Sequence, residues 1–168
     1  MREEVTKMNG KKLLLIRVDE DYCNFLRKFD NKVAYNYDYK KNRPFVGVLF
    51  EINDCKYFAP LSSPKPKHLK LKSKIDFLKI DGGRYGAVNF NNMIPVTDKN
   101  VVIINIENDK YGELLKRQIY WLNRHKEKLY NQSKKLYSDY ICGKLNQNIA
   151  KRCCNFKLLE EKREIYNK

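Results

Sequence analysis

The sequence predicts an α+β protein with a small, barrel-like antiparallel β-sheet, flanking helices and a helical C-terminal part. Short apolar segments separated by turn residues run from residue 12 to residue 106. From Asp109 onward the apolar residues recur at helical spacing instead. The 168 residues, 42% of them hydrophobic, suffice for a sizeable core, so we expect one domain over residues 1–168.

The N-terminal elements are a strand and a short helix. Residues 12–18 (KLLLIRV) are typical of a strand, and Asp19 is placed to cap a helix over Glu20–Phe29. A polar connection rich in tyrosine and lysine follows over residues 30–43 and ends at Pro44. The apolar face of the helix contains Tyr22, Phe25, Leu26 and Phe29.

The strand-rich block begins with a predicted hairpin. Phe45–Ile52 (FVGVLFEI) is strongly strand-prone, Asn53-Asp54 is a turn signal, and Lys56–Leu61 (KYFAPL) forms the returning strand. A loop with two prolines follows over residues 62–68. Further strands are predicted at Ile75–Ile80, Tyr85–Phe90, Met93–Val96 and Val101–Ile106, with an ordinary turn at Asp81-Gly82-Gly83.

The C-terminal part shows helical periodicity. Two apolar stripes, which begin at Tyr111 and Leu129, indicate amphipathic helices. Gly143 is placed to stop the second of them, and Asn155 to cap a last helix. The inward-facing residues of that last helix are predicted to be Phe156, Leu159 and Tyr166.

The net charge of +15, from 35 Lys and Arg against 20 Asp and Glu, favours a polyanionic partner. Nucleic acid is the commonest such partner. No segment is apolar for long enough to span a bilayer, and no signal-peptide pattern begins the chain, so we expect a soluble cytoplasmic protein. A peripheral membrane protein is disfavoured because the basic residues are spread along the whole chain. A DNA-binding regulator is disfavoured because no helix-turn-helix spacing is evident.

Residues for metal-dependent catalysis are scarce. The five cysteines include no CxxC pair, so we expect reduced thiols, no metal and no other cofactor. The two histidines are His68 and His125, and His125 is predicted to lie on the surface of a long helix. Glu160-Glu161 is predicted on a solvent-facing helix edge and the other acids are scattered, which disfavours a two-metal nuclease.

Hydroxyl and cationic side chains are concentrated in two segments that flank the hairpin, at residues 39–43 (YKKNR) and 62–68 (SSPKPKH). Because these ends of an antiparallel hairpin lie side by side, we expect the segments to converge on one surface. The candidate catalytic residues are Tyr39, Arg43, Ser62, Ser63 and Lys65. The candidate RNA-backbone contacts are Lys40, Lys41, Lys67 and Lys70.

Such a set of side chains suits RNA cleavage without a metal. The RNA supplies its 2′-hydroxyl as the nucleophile, and the protein orients it, neutralises the charge that develops on phosphorus and moves protons. The expected products carry a 2′,3′-cyclic phosphate and a 5′-hydroxyl. Two alternatives stay open: a non-catalytic RNA-binding module, and an ordinary solvated turn at SSPKPK.

Four segments spread along the chain carry a further signal. They are Arg43–Val48 (RPFVGV), Lys56–Lys65 (KYFAPLSSPK), Asn91–Val96 (NNMIPV) and Cys154–Lys162 (CNFKLLEEK). In this order and spacing they resemble the ToxN/AbiQ family of type III toxin–antitoxin ribonucleases, of which AbiQ is the abortive-infection member. The resemblance spans most of the chain.

The resemblance implies a fold similar to the MazF/CcdB-type barrel, elaborated with helices. It implies sequence-selective cleavage of mRNA, of phage transcripts and of the antitoxin precursor. It also implies inhibition by a pseudoknotted, repeated RNA antitoxin in a closed toxin–RNA assembly, and a role in phage defence. The basic residues of 116–135 and Lys151-Arg152 are candidates for the antitoxin surface.

The family's active-site stretch falls on Ser62–Lys65, and its upstream tyrosine falls on Tyr39. Arg43 stands where some members have lysine. Because arginine stays protonated, Arg43 cannot act as a general base, and we expect it to clamp phosphate.

The expected roles follow from that correspondence. Ser63 orients the 2′-hydroxyl or the scissile phosphate. Lys65 and Arg43 stabilise the charge on phosphorus, while Tyr39 and Ser62 position the RNA.

Overall fold

Within the part of the chain that the structure describes, eight strands form an antiparallel sheet, accompanied by six α-helices. The computed structural model describes residues 12–34 and 43–166. The strands are β1 (Leu14–Val18), β2 (Phe45–Gly47), β3 (Glu51–Ile52), β4 (Cys55–Ser62), β5 (Phe77–Lys79), β6 (Ala87–Asn89), β7 (Ile94–Val96) and β8 (Val101–Ile103). The helices are α1 (Glu20–Arg27), α2 (Pro66–Lys70), α3 (Gly112–Arg124), α4 (Lys126–Ile141), α5 (Gln147–Ala150) and α6 (Phe156–Tyr166).

Strand β4 lies at the centre of the sheet. Every residue from Cys55 to Leu61 is buried, and β4 pairs with β2, β3, β6 and β7. The order along the sheet is β5-β6-β4-β2-β1-β8, with β3 and β7 paired to β4 off this path. Because both faces of β4 are covered, its segment YFAPL is apolar without the alternation of a half-exposed strand.

The α+β class and the antiparallel pairing are confirmed, whereas a closed barrel is not. Within the described residues the path ends at β5 and β8, and these two strands do not pair with each other. The predicted strand Phe45–Ile52 is also divided into β2 and β3. Phe45 lies opposite Pro60 and Glu51 opposite Lys56, so the strand carries a bulge that bends it along β4.

The N-terminal helix is shorter than predicted. α1 ends at Arg27, and Phe29 lies beyond it with 42% of its surface exposed. Tyr22 and Leu26 are fully buried, as their spacing predicted. Asp19 occupies the N-cap position, but its side chain makes no capping bond.

The helical C-terminal part is confirmed. The Asn155 side chain caps α6 by accepting a hydrogen bond from the Leu158 N–H at 3.2 Å, and Gly143 follows α4 with a φ of +69°. His125 is placed differently from the prediction. It lies at the break between α3 and α4, half-buried, with its ring stacked on Trp121 at a centroid distance of 3.9 Å.

The prediction that Glu160 faces solvent is wrong. Its side chain is 11% exposed and accepts hydrogen bonds from the hydroxyls of Tyr57 and Tyr137, the latter at 2.7 Å. Burial and these hydrogen bonds raise the pKa of both phenols, so both remain donors. The carboxylate therefore connects α6 to the centre of β4.

The five cysteines are unpaired, as predicted, and four of them are buried while Cys142 is exposed. Burial raises the pKa of the Cys153 thiol to about 12, which keeps it protonated. Across the described ranges, none of the helices has the length and apolar character needed to cross a membrane.

Candidate active site

The structure brings Arg43 to the end of β4. The Leu61 N–H donates to the Pro44 carbonyl at 2.9 Å, and Arg43 Nη1 donates to the Leu61 carbonyl at 3.1 Å. The guanidinium therefore lies beside the first residue of the predicted active-site loop, Ser62–Lys65. Tyr39, Lys40 and Lys41 lie outside the described residues.

Asn89 holds the Ser62 hydroxyl. Ser62 pairs with Ala87 on β6, and the Asn89 side-chain amide Nδ2 donates to Ser62 Oγ at 2.6 Å. A hydroxyl has one donor and two acceptor positions, so the Ser62 proton remains available to a further acceptor. Asn89 could not be predicted as a site residue from the sequence, because the register of β6 against β4 has no local signal.

The other loop residues face solvent. Ser63, Pro64 and Lys65 are exposed, and the chain then turns into α2 with Pro66 at its start. Lys67 and Lys70 are exposed on that short helix. Their contact with RNA stays a prediction.

His68 braces the loop from beneath. It is 1% exposed, and its Nδ1 accepts a hydrogen bond from the Lys65 N–H at 3.2 Å. The Lys65 carbonyl in turn accepts from the His68 N–H at 2.9 Å. Burial, with Lys67 and Lys65 nearby, lowers the pKa of His68 and favours the neutral ring that can accept this bond.

Two glycines allow the turn between β5 and β6 to lie directly against the same loop. A Cβ at Gly86 would lie 1.9 Å from the Ser62 carbonyl oxygen, and a Cβ at Gly83 would lie 2.4 Å from the His68 carbonyl oxygen. Both glycines have positive φ, +91° and +96° respectively, so the backbone also favours glycine there. The predicted turn is confirmed, and its glycines permit this close approach.

Hydroxyls and cations are therefore concentrated where β4 ends. Arg43 bonds to the Leu61 carbonyl there, and Ser62, Ser63 and Lys65 follow Leu61 in the chain. Hydroxyl donors and cations of this kind bind a phosphodiester and stabilise additional negative charge on it. Among residues 12–34 and 43–166, no group of three or more His, Cys, Asp or Glu side chains is arranged as metal ligands.

Comparison with known proteins places the chain among bacterial toxins. Residues 14–164 match the family model described as toxin ToxN of type III toxin–antitoxin systems. The endoribonuclease ToxN of Bacillus thuringiensis subsp. kurstaki is 35% identical over 158 residues, which cover 89% of this chain and 81% of that protein.

Two solved structures have the same fold. AbiQ, a lactococcal anti-phage endoribonuclease of a type III toxin–antitoxin system, superimposes with a TM-score of 0.80 at 30% identity, over 93% of this chain and 98% of that one. A toxin of another type III system, inhibited selectively by a non-coding RNA pseudoknot, gives a TM-score of 0.80 at 29% identity, over 94% and 99% of the two chains.

The buried His68 ring, which accepts a hydrogen bond from Lys65, predicts that the stability of the folded protein depends on pH. Because folding lowers the pKa of His68 from its usual 6.5, its contribution is complete above that pH and is lost as the pH falls through the folded-state value. We expect the melting temperature of the protein to fall more steeply between about pH 7.5 and 5.5 than that of His68→Asn, whose amide oxygen does not titrate in this range.

His125→Asn is the matched control and should keep the steep pH dependence of the unmodified chain. Thermal unfolding followed by circular dichroism at several pH values checks this. Parallel curves for the unmodified protein and His68→Asn would contradict the brace.

Proposed function

The chain belongs to the ToxN family of type III toxin–antitoxin toxins, and on this premise we propose that it is a sequence-selective, metal-independent endoribonuclease. The observation that supports this most directly is the position of the family's active-site stretch, Ser62–Lys65, beside the Arg43 guanidinium. We propose a single toxin domain over residues 1–168 that acts in the cytoplasm, and we retain the MazF/CcdB-type core as a proposal.

The reaction we propose is attack of the RNA 2′-hydroxyl on the adjacent phosphorus. A new bond forms from that oxygen to phosphorus and the bond to the 5′-oxygen breaks. The 2′-hydroxyl gives up its proton and the departing 5′-oxygen takes one up, which leaves a 2′,3′-cyclic phosphate and a 5′-hydroxyl. Ser63 orients the reacting groups, and Arg43 and Lys65 stabilise the negative charge on the phosphoryl oxygens. Tyr39 and Ser62 position the RNA, and Lys40, Lys41, Lys67 and Lys70 contact its backbone.

The proposed regulator is an RNA antitoxin, because a toxin of the same fold is inhibited by a non-coding RNA pseudoknot. Messenger RNA and phage transcripts are the proposed substrates, in keeping with the anti-phage role of AbiQ. A closed toxin–RNA assembly is part of this proposal.

The antitoxin surface we propose is a groove of about 540 Å³ between the start of β1 and α3. Its floor is apolar, from Leu14, Ile106 and Ile119. Its rim carries four cations, which are Lys12, Lys116, Arg124 and Lys126. Cations around an apolar floor suit an RNA strand whose phosphates and bases contact different parts of the groove.

Arg152 is less suited to this role than the sequence analysis proposed. Its Nε donates to the buried Asp76 carboxylate at 2.9 Å, and the Asp76 side chain is 3% exposed. The guanidinium therefore compensates a buried charge.

The first prediction from the proposed function concerns Ser63. Purified protein should cleave RNA in EDTA and leave cyclic phosphate and 5′-hydroxyl ends, whereas Ser63→Ala should cleave at least about 100-fold more slowly and still bind RNA. Ser138→Ala, an exposed serine on α4, is the control and should cleave normally. Tight RNA binding without cleavage by the unmodified protein would favour the non-catalytic RNA-binding module.

The second prediction concerns Asn89. In Asn89→Asp the new carboxylate accepts the Ser62 proton, which then cannot be donated to a phosphate oxygen. We expect kcat to fall about ten-fold or more. Asn91→Asp adds the same charge two residues away and should change kcat little. Equal cleavage by the two variants would remove Asn89 from the site.

The third prediction concerns the groove. Replacing both Lys116 and Arg124 by Gln should weaken antitoxin binding and lower its salt slope by about 1.4, because two phosphate contacts are lost. Cleavage of a short substrate without antitoxin should be unchanged. A double variant with the same charge change at the exposed Lys28 and Lys99 is the control. The same weakening in both double variants would indicate a nonspecific effect of net charge.

A further inference from the structure

Tyr85 lies in the turn that is pressed against the active-site loop. It falls between Gly83 and Gly86, the two glycines that contact the carbonyls of His68 and Ser62. The Tyr85 N–H also donates to the Ile80 carbonyl at 3.2 Å. The position of this tyrosine relative to the loop is thus fixed on both sides.

A side chain of helix α3 forms a hydrogen bond with the backbone of the same turn. Gln118, 2% exposed, donates from Nε2 to the Tyr85 carbonyl at 3.0 Å. This buried bond joins α3 to the turn without using the phenol ring. The Tyr85 ring is only half-buried, with its inner part against the core.

Two guanidiniums adjoin the ring. The Arg117 guanidinium carbon lies 6.0 Å from the ring centroid, and its Nη1 lies 3.4 Å from the phenol oxygen. Hydrogen bonds from Arg117 and Arg84 lower the pKa of Tyr85. Both arginines are exposed. The neighbouring acids are Asp81, 3.7 Å from Arg84 and itself 40% exposed, and Glu113 near Arg117.

A half-buried aromatic ring beside two exposed guanidiniums suits the binding of a nucleotide. A base stacks on an aromatic ring whatever its sequence, and arginine contributes stacking and phosphate contacts. The exposed ion pair with Asp81 is weak, and a phosphate can compete for Arg84. The site adjoins the active-site loop, because Gly86, the residue after Tyr85, packs against the Ser62 carbonyl.

We propose that Tyr85 stacks on a nucleobase that flanks the scissile phosphate, while Arg84 and Arg117 contact the neighbouring phosphate. This inference rests on the proposed endoribonuclease function and names a subsite of the same active site. The subsite would help decide which phosphodiester is placed at Ser63.

The test is a cleavage and binding comparison of Tyr85→Ala, Tyr85→Phe and Tyr111→Ala. Tyr111 serves as the control because it is an exposed tyrosine that also lies beside a cation, with Lys110 Nζ 5.5 Å from its ring centroid. We expect Tyr85→Ala to raise KM about ten-fold and to change the relative use of cleavage sites in a long RNA. Tyr85→Phe, which keeps the ring, should retain most of the affinity and the site pattern.

An abasic scan identifies the stacked base. In the Ser63→Ala background, affinity is measured for short RNAs that each lack one base. Tyr85→Ala should not change the affinity for the RNA that lacks the stacked base. It should lower the affinity for every other RNA about ten-fold. The proposal would be overturned if Tyr85→Ala lowered the affinity for all RNAs equally. It would also be overturned if the loss of affinity were accompanied by a lower melting temperature of the variant.

These outcomes separate the two proposals. If the unmodified protein does not cleave RNA, the proposed function fails. If it cleaves and Tyr85→Ala behaves like Tyr111→Ala, the endoribonuclease proposal stands and the stacking subsite is wrong.

Discussion

Strand β4 is paired along both edges and covered on both faces, and the rest of the molecule is arranged around it. Four other strands form hydrogen bonds with it. Its buried residues, among them Tyr57 and Phe58 with 0% exposure, pack within the hydrophobic core. Because Ser62 is its last residue, the proposed active-site loop begins where the backbone is most constrained. Displacing the loop would require displacing the strand that organises the sheet.

A buried carboxylate extends this constraint to the C-terminal helix. Glu160 accepts hydrogen bonds from Tyr57 on β4 and Tyr137 on α4, and Lys157 lies 3.6 Å away. Removing one partner from such a network leaves a charged or polar group buried without compensation, which costs more than the bond itself contributes. The segment Cys154–Lys162 contains none of the proposed catalytic residues, and through Glu160 it has a structural role at the centre of the sheet.

The sequence predicted those features that depend on local patterns. The helix cap at Asn155, the stop at Gly143, the hairpin turn at Asn53-Asp54 and the approach of Arg43 to the end of β4 each follow from spacing and turn chemistry. Features that depend on the pairing of distant segments were not predicted. The contacts of Asn89 with Ser62 and of Gly86 with the loop need the register of β6 on β4, and no short pattern encodes that register. Glu160 was misjudged because a charged residue at a helix edge gives no local indication of buried phenols 23 and 103 residues away.

Rigidity of the loop bears on the choice between an enzyme and a binding module. A module that only binds RNA needs cations and rings but no fixed geometry, since phosphates and bases are bound by adaptable side chains. The loop here is held by an amide on Ser62, a buried imidazole under Lys65 and two glycines that allow backbone contact from the opposite side. Such a fixed loop backbone from Ser62 to Lys65 benefits a transition state far more than a ground-state complex, because misplacement of a reacting group is costly in rate. The bracing therefore favours catalysis at Ser62–Lys65 over binding alone.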